Sequence, residues 1–210
     1  MQHGDAWAAV AERLRERYPS VFLETADARP DRGVVPVGYS MGGRIALHAA
    51  LAQPRRWPAL VMVGVSAGVE DAPARRRADR ELADWIERSP IEEVVAHWEA
   101  QPVFATQPRE LVDAQRPGRL GHEPARLAEL LRAHGQGAMP AVWERLPELD
   151  LPVLCIAGAL DQRYVAAGRR MASLLPRGTF RTIPGCGHAP QLEDPAAVAA
   201  ELAAFLDERL

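Results

Sequence analysis

Residues 38–42 read Gly-Tyr-Ser-Met-Gly, and this G-x-S-x-G spacing puts Ser40 where a strand would turn sharply into a helix. A serine hydroxyl is a weak nucleophile and a weak base near neutral pH. It becomes reactive when a histidine takes its proton and a carboxylate orients that histidine. Two later residues fit those tasks, in the order serine, acid, histidine: Asp161 in AGALDQRY and His188 in PGCGHAPQLEDP. Each follows a strand-like stretch, so both belong where strand C-terminal ends feed loops, the place where ligands bind in open α/β sheets. Met41 would offer its backbone N–H to a developing oxyanion, backed by the positive end of the helix that follows. Gly38 and Gly42 are expected to be glycine because side chains there would collide with neighbouring elements. Asp161 also fits an ordinary helix N-cap. His48, His97, His122 and His134 read as surface or packing residues.

The elements that must position these residues follow from periodicity. Residues 5–18 show a helical stripe of Trp7, Val10, Leu14 and Tyr18. VFLE (21–24) reads as a short strand, and GVVPVGYS (33–40) as a strand holding Pro36, which is awkward in a central position. A helix is expected from Met41 to Ala52. LVMVGV (60–65) is a continuous apolar run, as a strand buried on both faces should be. Residues 66–150 are helical, rich in Arg and Glu, and punctuated by Pro. Strand signal returns at PVLCIAG (152–158) and TFRTIP (179–184), with helices at 162–175 and 195–209, the last opened by Asp194-Pro195. The expected fold is α/β, a mostly parallel sheet formed by 1–65 and 151–210, interrupted by a helical cap at 66–150.

Composition narrows the function. The chain is 48% apolar and 25% charged, with a net charge of −3 that does not suggest a nucleic-acid binder. All 25 of its Lys+Arg residues are arginine. Cys155 and Cys186 have neither metal nor redox spacing, which predicts a reduced, cytoplasmic protein. The first residues do not read as a signal peptide, and no apolar run is long enough to span a membrane. No metal or cofactor is implied: there is no ligand cluster and no phosphate-binding glycine loop.

GYSMGGR, the segments ARRRADRELADWI and HWEAQPVFATQ, and then AGALDQRY and GCGHAP together resemble the MenH family of α/β-hydrolase-fold enzymes. These make 2-succinyl-6-hydroxy-2,4-cyclohexadiene-1-carboxylate in menaquinone biosynthesis. The W-x-x-Q-P-x-F motif, Trp98 to Phe104, is more specific than the serine motif. The resemblance implies an elimination: the serine–histidine pair takes a proton, and pyruvate leaves as a ring double bond forms. It also implies a small polycarboxylate substrate held by arginines. By motif position these are Arg44, Arg75 and Arg119, with Arg116 close enough to replace Arg119. Tyr39 and Trp98 match pocket residues. Arg44 has its own physical rationale. It lies four residues after Ser40 on the same helix face, in a first turn whose dipole disfavours a cation, so a bound carboxylate would explain it.

The chain departs from that family at its start. MQHGDAW retains His3-Gly4 of an H-G-F-x-G loop without the strand before it, and only ETADARPDRGV links VFLE to the serine turn. The expectation is a sheet lacking its first strands, its edge closed by residues 20–38, by an upstream segment or by a second copy, the protein being a monomer or homodimer. Loss of one oxyanion donor typically lowers the rate about 10²–10³-fold. Two other readings follow: a general esterase or thioesterase of the same fold, and a degenerate non-catalytic member in which Ser40 and His188 lie apart.

Overall fold

The computed structural model describes residues 4–19 and 34–209, so VFLE, His3 and most of the segment before the serine turn lie outside the described residues. By contact density the chain divides into two compact units. One is Gly68–Ala141; the other comprises the flanking segments up to Ala67 and from Val142.

The flanking segments build a four-stranded parallel sheet in chain order, β1 (Val37–Tyr39), β2 (Leu60–Val63), β3 (Val153–Gly158) and β4 (Gly178–Ile183). Parallel neighbours need crossovers. These include α2 (Met41–Ala52) between β1 and β2 and α7 (Gln162–Leu174) between β3 and β4. The remaining helices here are α1 (Ala8–Leu14), the single turn α8 (Pro190–Glu193) and α9 (Pro195–Arg209).

The apolar runs of β2 and β3 are explained by two cores, one on each face of the sheet. Leu60, Met62, Val153 and Cys155 join Leu47 and Leu51 of α2 and Met171 of α7. Val61, Val63, Leu154 and Ile156 point the other way, to Val10 of α1 and to Val198, Leu202 and Phe205 of α9. Period-two alternation thus holds even though neither face is polar, because both are covered.

Pro36 is no obstacle. It precedes β1, which ends the strand order among the described residues, and its carbonyl accepts from Val61 N–H (2.9 Å). Its missing donor falls outside the ladder. Ser40 N–H then donates to Val63 O at 2.9 Å, carrying the pairing one residue past β1.

The second unit is helical: α3 (Ala72–Arg88), α4 (Ile91–Glu99), α5 (Arg109–Leu120) and α6 (Pro124–His134). Ala83, Ile86, Val94 and Ala128 form its small core, flanked by Trp85, Leu127 and Leu131. Asp71 caps α3 through Ala74 N–H. Asp79, 3% exposed, accepts Arg75 Nε (2.6 Å) on one oxygen and Gly137 N–H (2.9 Å) on the other.

Gly158 closes β3 against the loop after β4. A Cβ there would lie 2.0 Å from Gly187 O and 2.4 Å from Cys186 O, both backbone atoms. Gly158→Ala is therefore expected to destabilise the fold by about 1–3 kcal/mol, as overpacking does. The check is the urea midpoint against wild type.

Burial raises the Cys155 thiol from 9.0 to about 12. Burial, with the Glu193 and Asp194 carboxylates nearby, raises Cys186 to about 11. The native state thus keeps protons that unfolded thiols release above about pH 8.5, so stability should fall as pH rises from there towards 11. In urea unfolding at roughly pH 8 and 10, the wild type should lose more stability than a Cys155→Ala/Cys186→Ala variant.

Candidate active site

Ser40 sits at φ 48°, ψ −111°, the one non-glycine residue with positive φ among the described residues. That conformation carries strain of about 1–3 kcal/mol and persists only where its surroundings fix it. Here they do. A Cβ on Gly38 would lie 2.5 Å from Gly43 Cα, and one on Gly43 would lie 2.3 Å from Val65 Cγ2 and 2.8 Å from Gly38 O. The close approach therefore belongs to Gly38 and Gly43. The expectation for Gly42 is corrected: a Cβ there meets nothing within 4 Å among the described residues. Helix α2 starts at once, with Arg44 N–H donating to Ser40 O (3.1 Å). Met41, its first residue, has an N–H with no acceptor one turn back, as at every helix start.

The loops after β3 and β4 bring the other two residues to Ser40. Asp161 is the N-cap of α7, its Oδ1 accepting from Tyr164 N–H at 3.4 Å. Its Oδ2 lies 2.8 Å from His188 Nδ1, and His188 Nε2 lies 3.2 Å from Ser40 Oγ. One oxygen of Asp161 thus serves the cap and the other faces His188, a geometry compatible with both readings of this residue. With the imidazole proton on Nδ1 donated to Asp161, Nε2 is free to accept from the serine hydroxyl. Such a chain can draw the proton from Ser40 and hold the resulting imidazolium beside a carboxylate. The degenerate reading expects Ser40 and His188 apart; they are within hydrogen-bonding reach.

His188 is 5% exposed. Its ring is in tilted contact with Tyr39 (centroids 5.2 Å apart) and with Tyr164 (4.5 Å). Gly64, at φ 62°, lies against it; a Cβ there would come 3.1 Å from His188 Cε1. Tyr164 and Gly64 were not among the residues picked out from sequence. Tyr164 stands three residues after Asp161, and Gly64 directly ends the β2 run, so both carried a positional signal. Glu193 is a third: its Oε2 accepts Gly187 N–H (2.7 Å) and its Oε1 accepts Ala189 N–H (3.1 Å), bracketing His188.

Arg44 is buried in α2, 7% exposed, one turn beyond Ser40, so it does not point to solvent. In the helical unit, Arg75 uses Nε on Asp79 and Nη1 on Gln136 Oε1 (3.0 Å). Arg119 is 3% exposed and donates Nη1 to Glu99 Oε1 at 3.0 Å. Its Nε and Nη2, the two donors of one guanidinium edge, are buried without a hydrogen bond among the described residues. Arg116 reaches the other Glu99 oxygen at 2.5 Å and is 42% exposed. Trp98 lies against Phe104 with ring centroids 5.5 Å apart and the planes tilted by 40°. Among the described residues no group of His, Cys, Asp and Glu could hold a metal, and no helix is long and apolar enough to cross a membrane.

The Alpha/beta hydrolase family profile matches residues 3–201. A Bacillus subtilis protein provisionally named as a 2-succinyl-6-hydroxy-2,4-cyclohexadiene-1-carboxylate synthase is 36% identical over 90% of this chain and 72% of its own. The synthase of that name from Serratia proteamaculans is 35% identical over 81% of this chain and 66% of its own, so the chain spans about two thirds of these relatives. The structure of MenH from S. aureus superposes with a TM-score of 0.80 at 30% identity, over 99% of this chain and 76% of that one. A thermophilic esterase from Thermogutta terrifontis, 22% identical with a TM-score of 0.77 over 99% of this chain and 86% of its own, shares the fold. The chain belongs to the alpha/beta hydrolase family and, within it, to the group of the 2-succinyl-6-hydroxy-2,4-cyclohexadiene-1-carboxylate synthases.

Proposed function

We propose that this chain is a MenH-like carbon–oxygen lyase that eliminates pyruvate from a polycarboxylate cyclohexene intermediate of menaquinone biosynthesis. Asp161 holds His188 with Nε2 towards Ser40, and the Ser40–His188 pair removes a proton from substrate carbon. The electron pair left on carbon forms the ring double bond, the carbon–oxygen bond breaks, and the leaving group departs with that bond's electrons as the enolate of pyruvate, which takes up the proton that His188 had accepted and becomes pyruvate. Met41 N–H, at the start of α2, stabilises the oxyanion that develops on the way. No covalent acyl-enzyme is required. The reaction is cytoplasmic, and the protein acts as a monomer or homodimer on a small anionic substrate.

The observation that carries this reading over ester hydrolysis is Arg44. A guanidinium buried one turn from the reacting hydroxyl, against the dipole of its own helix, suits a substrate carboxylate and has no task in an apolar acyl pocket. In this reading Tyr39 and Trp98 are pocket residues and Arg75 and Arg119 are further carboxylate ligands. Arg119 is preferred over Arg116. Its unpaired Nε/Nη2 edge is the fork that accepts a carboxylate side-on, while Glu99 fixes the opposite nitrogen.

Pyruvate release from the intermediate is expected for the wild type and should be lost in Ser40→Ala. Arg44→Ala should raise KM. No pyruvate from a folded wild-type chain, with hydrolysis of a p-nitrophenyl ester instead, would give the site to the esterase reading. Arg119→Lys should not rescue Arg119→Ala. A point charge cannot reproduce the fork, and losing one charged hydrogen bond, about 1.5–3 kcal/mol, corresponds to about a 10- to 100-fold rise in KM. Steady-state kinetics of the two variants decide this.

A further inference from the structure

The loop that carries His188 runs from the end of β4 to α8. A main-chain bond from the turn after β3 reaches it, Leu160 N–H to Cys186 O at 2.9 Å, two residues before the histidine. Immediately around His188 the N–H groups of Gly187 and Ala189 are not spent on a strand or a helix. Both point to one carboxylate. Glu193 Oε2 takes the first at 2.7 Å and Oε1 takes the second at 3.1 Å. The Glu193 N–H in turn donates to Ala189 O at 3.1 Å, so the side chain and the backbone of one residue close the same turn from both sides. The reach-back to Ala189, the N-cap of α8, resembles a capping box displaced by one residue. The bond to Gly187 lies beyond any helix cap.

We propose that Glu193 is a positioning residue for the reaction: its ionised carboxylate clamps the peptide groups on either side of His188 and so fixes the imidazole between Asp161 and Ser40. The proposal rests on the reading of His188 as the base in the site described above. The chemistry asks for a carboxylate in particular. An ionised carboxyl is acceptor-only at both oxygens, matching two N–H donors. A glutamine of the same length keeps one acceptor and turns an NH₂ towards the second N–H. An aspartate keeps the charge on a stem one methylene shorter and reaches only one of the two. Gly158 shows how little slack the loop has, since even a methyl group there would strike Gly187 O at 2.0 Å. The Ser40–His188 contact, at 3.2 Å, is the long link of the chain and the first that a small shift of the loop would break.

The test uses the whole chain and two readouts that do not depend on pyruvate elimination. The first is the rate at which a fluorophosphonate labels Ser40, with Ser40→Ala as the blank. The second is the far-downfield proton resonance of the His188 Nδ1–H···Asp161 bond. Glu193→Gln is expected to keep a cooperative unfolding transition, to lose or shift that resonance, and to label about 10- to 100-fold more slowly, the range a displacement of about 1 Å produces. Glu193→Asp should fall between it and wild type. If Glu193→Gln does not fold, Glu193→Asp carries both measurements with the same expected direction. In pyruvate release the loss should appear in kcat with KM within about twofold, since no substrate contact is removed. A folded variant that labels at the wild-type rate with the resonance unmoved overturns the proposal, as does one that loses stability alone. If the wild type itself is not labelled, the base reading fails, and the resonance still decides whether Glu193 governs His188.

Discussion

The site depends on one tight junction, the turn at Ser40. An L-residue held at positive φ is stable only if neighbours leave it no alternative, and three features do so. Gly38 and Gly43 pack backbone to backbone across the turn, Ser40 N–H is bound to the end of β2, and Ser40 O receives the first bond of α2. The hydroxyl is thus anchored to the sheet on one side and to a helix on the other. The first N–H of α2 and the Arg44 side chain follow from the same geometry, because both are set by where that helix begins. In the proposed reaction this fixed turn is what would let Ser40, Met41 N–H and Arg44 act on one small ligand.

The parallel register supplies the partners. Since β1 to β4 all run the same way, the turns after β1, β3 and β4 emerge at one edge of the sheet. Residues 40, 161 and 188, far apart in the chain, become consecutive links of one hydrogen-bond chain there. Asp161 illustrates the economy of the arrangement: the oxygen that caps α7 fixes the carboxylate, and the other is left pointing at His188. The imidazole is walled by two tyrosines and a glycine, which keep it buried, and its loop is gathered by the Glu193 carboxylate. Burial strengthens each polar contact and makes each unpaired group costly.

In the helical unit, carboxylates organise arginines. Asp79 is buried and Glu99 half-buried, and each holds a guanidinium by one side. Buried ion pairs add little net stability, because desolvation offsets the attraction. Their effect here is orientation: among the described residues Glu99 leaves the Nε/Nη2 edge of Arg119 unpaired, whereas Asp79 and Gln136 take Nε and Nη1 of Arg75. Two arginines equivalent by motif are therefore unequal in what they can still bind.

The sequence alone determined the element order and singled out the candidate residues at the ends of the strands. Apolar runs, Gly and Pro punctuation and helical stripes are local signals, and they placed β2, β3, β4, α2, α7 and α9 within a residue or two. Ser40, Asp161 and His188 were legible because their order and their places after strands are linear facts. Tertiary structure decided the rest. Which glycine is tight, Gly43 and not Gly42, depends on what lies across the turn. Whether Pro36 breaks a ladder depends on where β1 begins and how the strands are ordered. Tyr164, Gly64 and Glu193 matter only because the chain folds their neighbours around His188. Arg119 differs from Arg116 in burial, since Glu99 of another helix takes Nη1 of both, and from Arg75 in its partners, since Asp79 of the same helix takes Nε of Arg75. Periodicity reports which face a residue takes; it does not report the hydrogen-bond partner that waits there, because that partner is brought by a remote part of the chain.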